Sequence, residues 1–140
     1  MDAATSSPPP SGPATADADR LAAWDSERNR LKSRLITSNT QQWQHDLAKE
    51  SISSSISGLN RVGGMDLSFI KGDDSVACAA YVVCAFPSME VVYEDLRMIE
   101  LTAPYVPGYL AFREADPLVQ MVREQRECKP EATPEVRCKF

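Results

Sequence analysis

The sequence predicts an α/β domain in which a three-stranded antiparallel meander is preceded by one helix and followed by another. Three observations carry that expectation. Apolar residues recur at helical spacing between Leu21 and Leu35, three runs between Val62 and Leu101 have the period of strands, and Leu118, Met121 and Val122 form a second helical stripe. With 140 residues, 43% of them hydrophobic, the chain has room for one compact domain.

Residues 1–19 are expected to be a disordered head rich in Pro, Ser and Ala. The run from Thr5 through Pro8, Pro9 and Pro10 to Ala14 offers almost no side chain whose burial could offset the entropy of ordering it. An N-terminal helical region, 20–50, comes next. Leu21, Trp24, Leu31 and Leu35 share a stripe with the Arg28 stem, which predicts an amphipathic helix over about 16–35. A second short helix is expected between Ile36 and Lys49, around Trp43 and His45. Residues 51–59 read as a connector, because the serines from Ser51 to Ser57 compete for backbone hydrogen bonds.

The principal domain is expected over 60–136. In Val62–Ile70, Met65, Leu67 and Phe69 face one side, and Val62, Gly64, Asp66 and Ser68 the other. Gly72, Asp73 and Asp74 supply a turn. Val76–Phe86 is apolar on both faces, as expected of a strand covered on two sides. Pro87 and Ser88 turn the chain into a third strand, Glu90–Leu101, and short turns between consecutive strands make the meander antiparallel. Two prolines and a glycine in Thr102–Gly108 preclude a regular element and give a stiff, projecting loop. A helix over about 112–126 should follow, with Pro117 tolerated in its first turn. Residues 137–140 read as a divergent tail.

The net charge of −5 divides unevenly: −3 over residues 1–19, +3 over 20–61 and −5 over 62–140. An acidic principal domain argues against holding phosphate backbones by charge alone, but it suits a metal-dependent site that collects carboxylates. Cys78, Cys84, Cys128 and Cys138 have no Cys-x-x-Cys spacing and His45 is the only histidine, so a zinc site is poorly supported. The four thiols read as reduced and intracellular. No run approaches a membrane span and no secretory signal is visible.

Two acids and a loop stand out as candidates for chemistry: Asp66 on a strand, Glu114 near the start of a helix, and Pro104-Tyr105-Val106-Pro107 between them. Unaided, the acids read as a strand-end carboxylate in a surface hydrogen bond and a first-turn acid favoured by the helix dipole. Arg113 could contact a phosphate or pair with Glu114.

Within Arg61–Val122, however, three blocks in order resemble endonuclease V: Val62-Gly63-Gly64-Met65-Asp66-Leu67-Ser68-Phe69, the hairpin segment ending Val91-Val92-Tyr93-Glu94, and Pro104-Tyr105-Val106-Pro107-Gly108-Tyr109-Leu110-Ala111-Phe112-Arg113-Glu114. The Pro-Tyr block is the specific one, and a weaker echo runs from Trp24 to Trp43. The resemblance implies an RNase H-like fold and cleavage of DNA or RNA near deoxyinosine or inosine, at the second phosphodiester bond on the 3′ side, with Mg²⁺ or Mn²⁺. It implies that Asp66 and Glu114 are catalytic and hold the metal as hard oxygen ligands. Pro104, Tyr105, Val106 and Pro107 would be a wedge entering the nucleic acid, with Gly108 and Leu110 lining a pocket for the extruded base. The implied partners are inosine-containing single-stranded RNA or deoxyinosine-containing DNA, with no membrane; nucleus, nucleolus and cytoplasm are all compatible, and the oligomeric state is open.

In the family a further strand ends in a third metal-binding aspartate. Pro134-Glu135-Val136 resembles its approach, but Arg137-Cys138-Lys139-Phe140 does not continue it. The expectation is an incomplete RNase H-like fold of a C-terminally truncated or variant member, its central parallel strand missing. The strand carrying Asp66 should then have an unpaired edge, leaving a marginally stable or aggregation-prone chain of impaired activity. The alternatives are a non-catalytic fragment that binds single-stranded nucleic acid, or a truncated isoform with no function of its own.

Overall fold

The computed structural model describes residues 13–48 and 56–139. The chain divides into two compact units between Thr37 and Ser38. The first contains α1 (Pro13–Lys32). The second contains α2 (Gln42–Leu47), β1 (Arg61–Ile70), β2 (Asp73–Ala85), β3 (Val91–Glu100), α3 (Leu110–Cys128), a 3₁₀ turn (Pro130–Ala132) and β4 (Val136–Lys139).

α1 begins earlier than its apolar stripe suggests, so the last residues assigned to the head are helical, and it ends before Leu35. Leu31 and Leu35 are exposed. Pairs one turn apart hold the helix from its surface. Asp25 meets Arg28 at 2.6 Å and Glu27 meets Arg30 at 2.6 Å, and the Arg30 hydrogen bond keeps the Glu27 carboxyl below its ordinary range. α2 is the short helix expected around Trp43. Its start is tied by the Gln44 side-chain oxygen, which accepts the N–H groups of Thr40 (2.7 Å) and Gln41 (2.8 Å). The Ser-rich connector lies mostly outside the described residues, as does the head before Pro13.

The α/β class and the meander are as expected. β2 pairs antiparallel with β1 on one side and β3 on the other. The sheet order is β3-β2-β1-β4. The fourth strand corrects the expectation of a missing parallel strand. Val136, Arg137, Cys138 and Lys139 pair parallel with Val62, Gly63, Gly64 and Met65, so the domain does not end at 136 and most of the supposed tail belongs to the sheet. β4 covers the first half of the β1 edge. Among the described residues, Asp66–Ile70 has no partner on that side.

α3 lies on the sheet face formed by Leu67, Ala77, Ala79, Tyr81 and Val83, and buries Leu118 and Met121 there. β2 is fully buried on this face alone; Val76, Cys78, Ala80, Val82 and Cys84 on the other are half-buried. Pro117 sits well inside α3 rather than in its first turn. Lacking an N–H, it leaves the Arg113 carbonyl without its helical donor. At the other end, buried Gln125 donates from Nε2 to the Lys129 carbonyl (2.7 Å) and turns the chain towards β4.

Candidate nucleic-acid interface and carboxylate site

The Thr102–Tyr109 loop is shaped at both ends. Leu101 is buried and donates its N–H to the Ser75 carbonyl (2.8 Å), which fixes where the chain leaves the sheet. Tyr109 donates its N–H to the Val106 carbonyl (3.0 Å), closing a turn into α3. Gly108 has φ +85°, the left-handed region that side chains rarely adopt. A Cβ there would meet open space, so backbone conformation, not close approach, requires this glycine. Between those anchors Pro104 and Pro107 restrict φ, and Tyr105 is held out with 57% of its surface exposed. Leu110, the first residue of α3, is also exposed, while Tyr109 and Phe112 turn towards each other with ring centroids 6.2 Å apart.

Glu114 lies in the second turn of α3 and is only 3% exposed. Its Oε2 is 2.5 Å from Lys139 Nζ. A buried carboxylate requires a compensating positive charge, and the lysine supplies it. Asp66 lies opposite Ala80 in the sheet, is exposed, and its side chain makes no hydrogen bond or ion pair among the described residues. Strand alternation puts it on the face of Gly64 and Ser68, opposite the Leu67 face that α3 covers. No group of three or more His, Cys, Asp or Glu is placed to hold a metal among the described residues. With the buried carboxylate of Glu114 already neutralised by Lys139, this donor set does not fit a divalent cation. One carboxylate stands alone and the other is already neutralised.

Arg113 makes no ion pair with Glu114 among the described residues. Only 5% exposed, it lays its guanidinium 5.3 Å above the Phe69 ring and places Nη1 3.5 Å from Asp74 Oδ2. It ties the β1–β2 turn to the first turns of α3, immediately below the projecting loop.

Several residues that shape the sheet carry no motif. Glu135 accepts the N–H groups of Arg61 (2.7 Å) and Asn60 (3.1 Å), fastening the start of β4 to the start of β1. Partial burial raises the Glu135 pKa, but these N–H donors outweigh it and the carboxyl ends below its ordinary range. Arg137 Nε donates to the hydroxyl of buried Tyr81 (3.0 Å). Gly63 leaves room for that stem: a Cβ there would lie 3.1 Å from Pro134, 3.2 Å from Arg137 and 3.3 Å from Tyr81. The small pair Gly63-Gly64 in a strand was the one available signal, since glycine inside a strand often marks a close approach. On β3, Arg97 reaches Glu124 of α3 at 2.6 Å and also pairs with Asp95; these carboxylates hold its pKa above the ordinary value.

The family model described as Endonuclease V matches residues 41–135. Human Endonuclease V is 48% identical over 118 residues, 84% of this chain and 39% of the human protein. The mouse protein is 47% identical over 118 residues, 33% of its length. The chain thus spans less than half of these curated relatives. Among solved structures, the catalytic domain of human Endonuclease V superposes with a TM-score of 0.78 at 46% identity, covering 86% of this chain and 46% of that one. Endonuclease V of Ciona intestinalis, in complex with a DNA containing an inosine followed by a ribo-adenosine, superposes at 0.69 with 30% identity, covering 86% and 46%. No helix among the described residues is long and apolar enough to cross a membrane.

Proposed function

Because the chain belongs to the endonuclease V family, we propose that it recognises inosine-containing single-stranded RNA or deoxyinosine-containing DNA through the Pro104–Pro107 loop, and that its own hydrolytic activity is impaired. The observation that carries this reading is the loop: an exposed Tyr105 ring held between two prolines and a Gly108 turn. A flat ring held out in this way can take the place of a base that leaves the stack, at little further entropic cost. Gly108 and Leu110 follow directly and would line the side from which that base is received. The complex of the Ciona relative with inosine-containing DNA supports the substrate class.

Hydrolysis at the second phosphodiester on the 3′ side would require Mg²⁺ or Mn²⁺, which supplies charge neutralisation at phosphate and an activated water. Asp66 and Glu114 are the family's candidate ligands, but no third acid, cysteine or histidine joins them among the described residues and Glu114 is engaged by Lys139. Recognition without efficient cleavage is therefore the function best supported for these 140 residues.

Fluorescence anisotropy with inosine-containing and adenosine-containing oligonucleotides tests recognition. The inosine strand should bind more tightly, and Tyr105→Ala should weaken it about 10-fold, within the range of one lost base–aromatic stack. Equal binding of both strands, or no effect of Tyr105→Ala, refutes the reading. Nicking of the same strand with Mn²⁺, absent in Asp66→Ala, would refute the impairment.

A further inference from the structure

We propose that the tip of the β1–β2 hairpin is a second contact for the nucleic acid strand, at which Phe69 stacks on a base beyond the nucleotides at Tyr105 and Lys71 meets a phosphate. The inference rests on reading the Pro104–Pro107 loop as the recognition element.

The hairpin tip and the loop lie at the same end of the sheet. Ile70 pairs with Asp73 at the turn, and Leu101, where the loop begins, donates its N–H to the carbonyl of Ser75 just along β2. Arg113 joins the two, because it follows the loop by one turn of α3 and sets its guanidinium 5.3 Å from the centre of the Phe69 ring. β4 ends level with Met65, so among the described residues no strand pairs with β1 beside Phe69. The ring stays 39% exposed. With a cation on one face, its exposure falls on the remainder of the ring, and an aromatic surface of this kind accepts any base by stacking.

Charge at the tip is sorted to match. Asp73 accepts the N–H of Ser75 at 2.9 Å and its hydroxyl at 2.6 Å, and Asp74 is paired with Arg113 at 3.5 Å. Both acids are thus engaged within the protein. Lys71 is exposed and makes no ion pair among the described residues, which leaves its ammonium to a phosphate. A strand laid from the loop to the tip would meet first Tyr105, then Phe69 and Lys71.

The test is fluorescence anisotropy of the whole chain with two inosine-containing RNA strands, one spanning only the inosine and its immediate neighbours and one several nucleotides longer at each end. Phe69→Leu keeps an apolar side chain against Arg113 but removes the ring, and Lys71→Gln removes the charge. On the long strand Phe69→Leu should bind about 10-fold more weakly, the loss of one base–aromatic stack. Lys71→Gln should reduce the slope of log affinity against log salt by about 0.7, the value of one phosphate contact on a single strand. Neither variant should alter binding of the short strand or the preference for inosine over adenosine, because the platform takes any base. Tyr105→Ala, by contrast, should weaken both strands.

Wild-type affinity of folded Phe69→Leu for the long strand, or a wild-type salt slope in Lys71→Gln, overturns the proposal; if Tyr105→Ala still weakens binding, the loop reading stands without it. A loss in Phe69→Leu that is as large on the short strand also overturns it, since the ring would then act through Arg113 on the loop. If Phe69→Leu does not fold, Lys71→Gln decides, because its exposed side chain supports no packing. If Tyr105→Ala and both hairpin variants all bind as the wild type does, the loop reading falls together with this one.

Discussion

The loop after β3 and the β1–β4 edge make two different uses of the chain. The loop acts through residues consecutive in sequence, whose prolines and glycine set its shape and leave Tyr105 outside. The edge acts through residues far apart, with Glu135 on the Asn60 and Arg61 amides, Arg137 on Tyr81 and Lys139 on Glu114. Substitution of the loop's exposed side chain should therefore change recognition and spare stability, whereas substitution at the edge should do the reverse.

The largest effect is expected at Gly63. A valine there must displace Pro134, Arg137 or buried Tyr81, and overpacking of this kind costs about 3 kcal/mol. Urea unfolding of Gly63→Val should show that loss; an unchanged midpoint would mean that β4 is not held against β1 in solution. Tyr105→Ala should cost about 1.4 kcal/mol of inosine-strand binding and nothing measurable in unfolding. A joint loss of both would erase the distinction between the regions.

Gly108→Ala should follow at about 1 kcal/mol of stability, because alanine is strained at φ +85° although no atom blocks its methyl. It also sharpens the comparison, since a re-aimed loop should lower inosine preference where Gly63→Val does not.

The smallest effect belongs to Glu135. Its amide hydrogen bonds are charge-assisted but exposed to solvent, so Glu135→Gln should cost about 0.5 kcal/mol near neutral pH. The folded pKa lies below the ordinary 4.5. The contribution is therefore complete above the unfolded value and is lost as pH falls through the lower folded one. Urea midpoints between pH 7 and pH 3 should converge for wild type and Glu135→Gln in that acidic window. A constant gap would show that ionisation of Glu135 does not contribute.

Most of the scaffold was legible because its signals are local. Alternation in Val62–Ile70, the apolar run Val76–Phe86 and the stripe of Leu118, Met121 and Val122 each became the element expected, with shifted ends at α1, at α3 and at β2, which takes in Asp73 and Asp74 from the expected turn. Pro117 misled about where α3 begins, since proline is tolerated in a first turn more readily than inside a helix. Glu114 was legible as a candidate through its motif, but its lysine partner was not.

The sequence by itself determined the meander, the amphipathic α3 and the stiff tyrosine loop, because periodicity, turn residues and proline geometry act over a few neighbouring positions. Only the tertiary structure decided that Arg137, Cys138 and Lys139 form a strand rather than a tail, that Arg113 serves Phe69 and Asp74, and that Glu114 is spoken for by Lys139. A parallel edge strand is held by backbone hydrogen bonds that carry no residue pattern of their own. A buried ion pair, likewise, exists only once two distant segments have been brought into register.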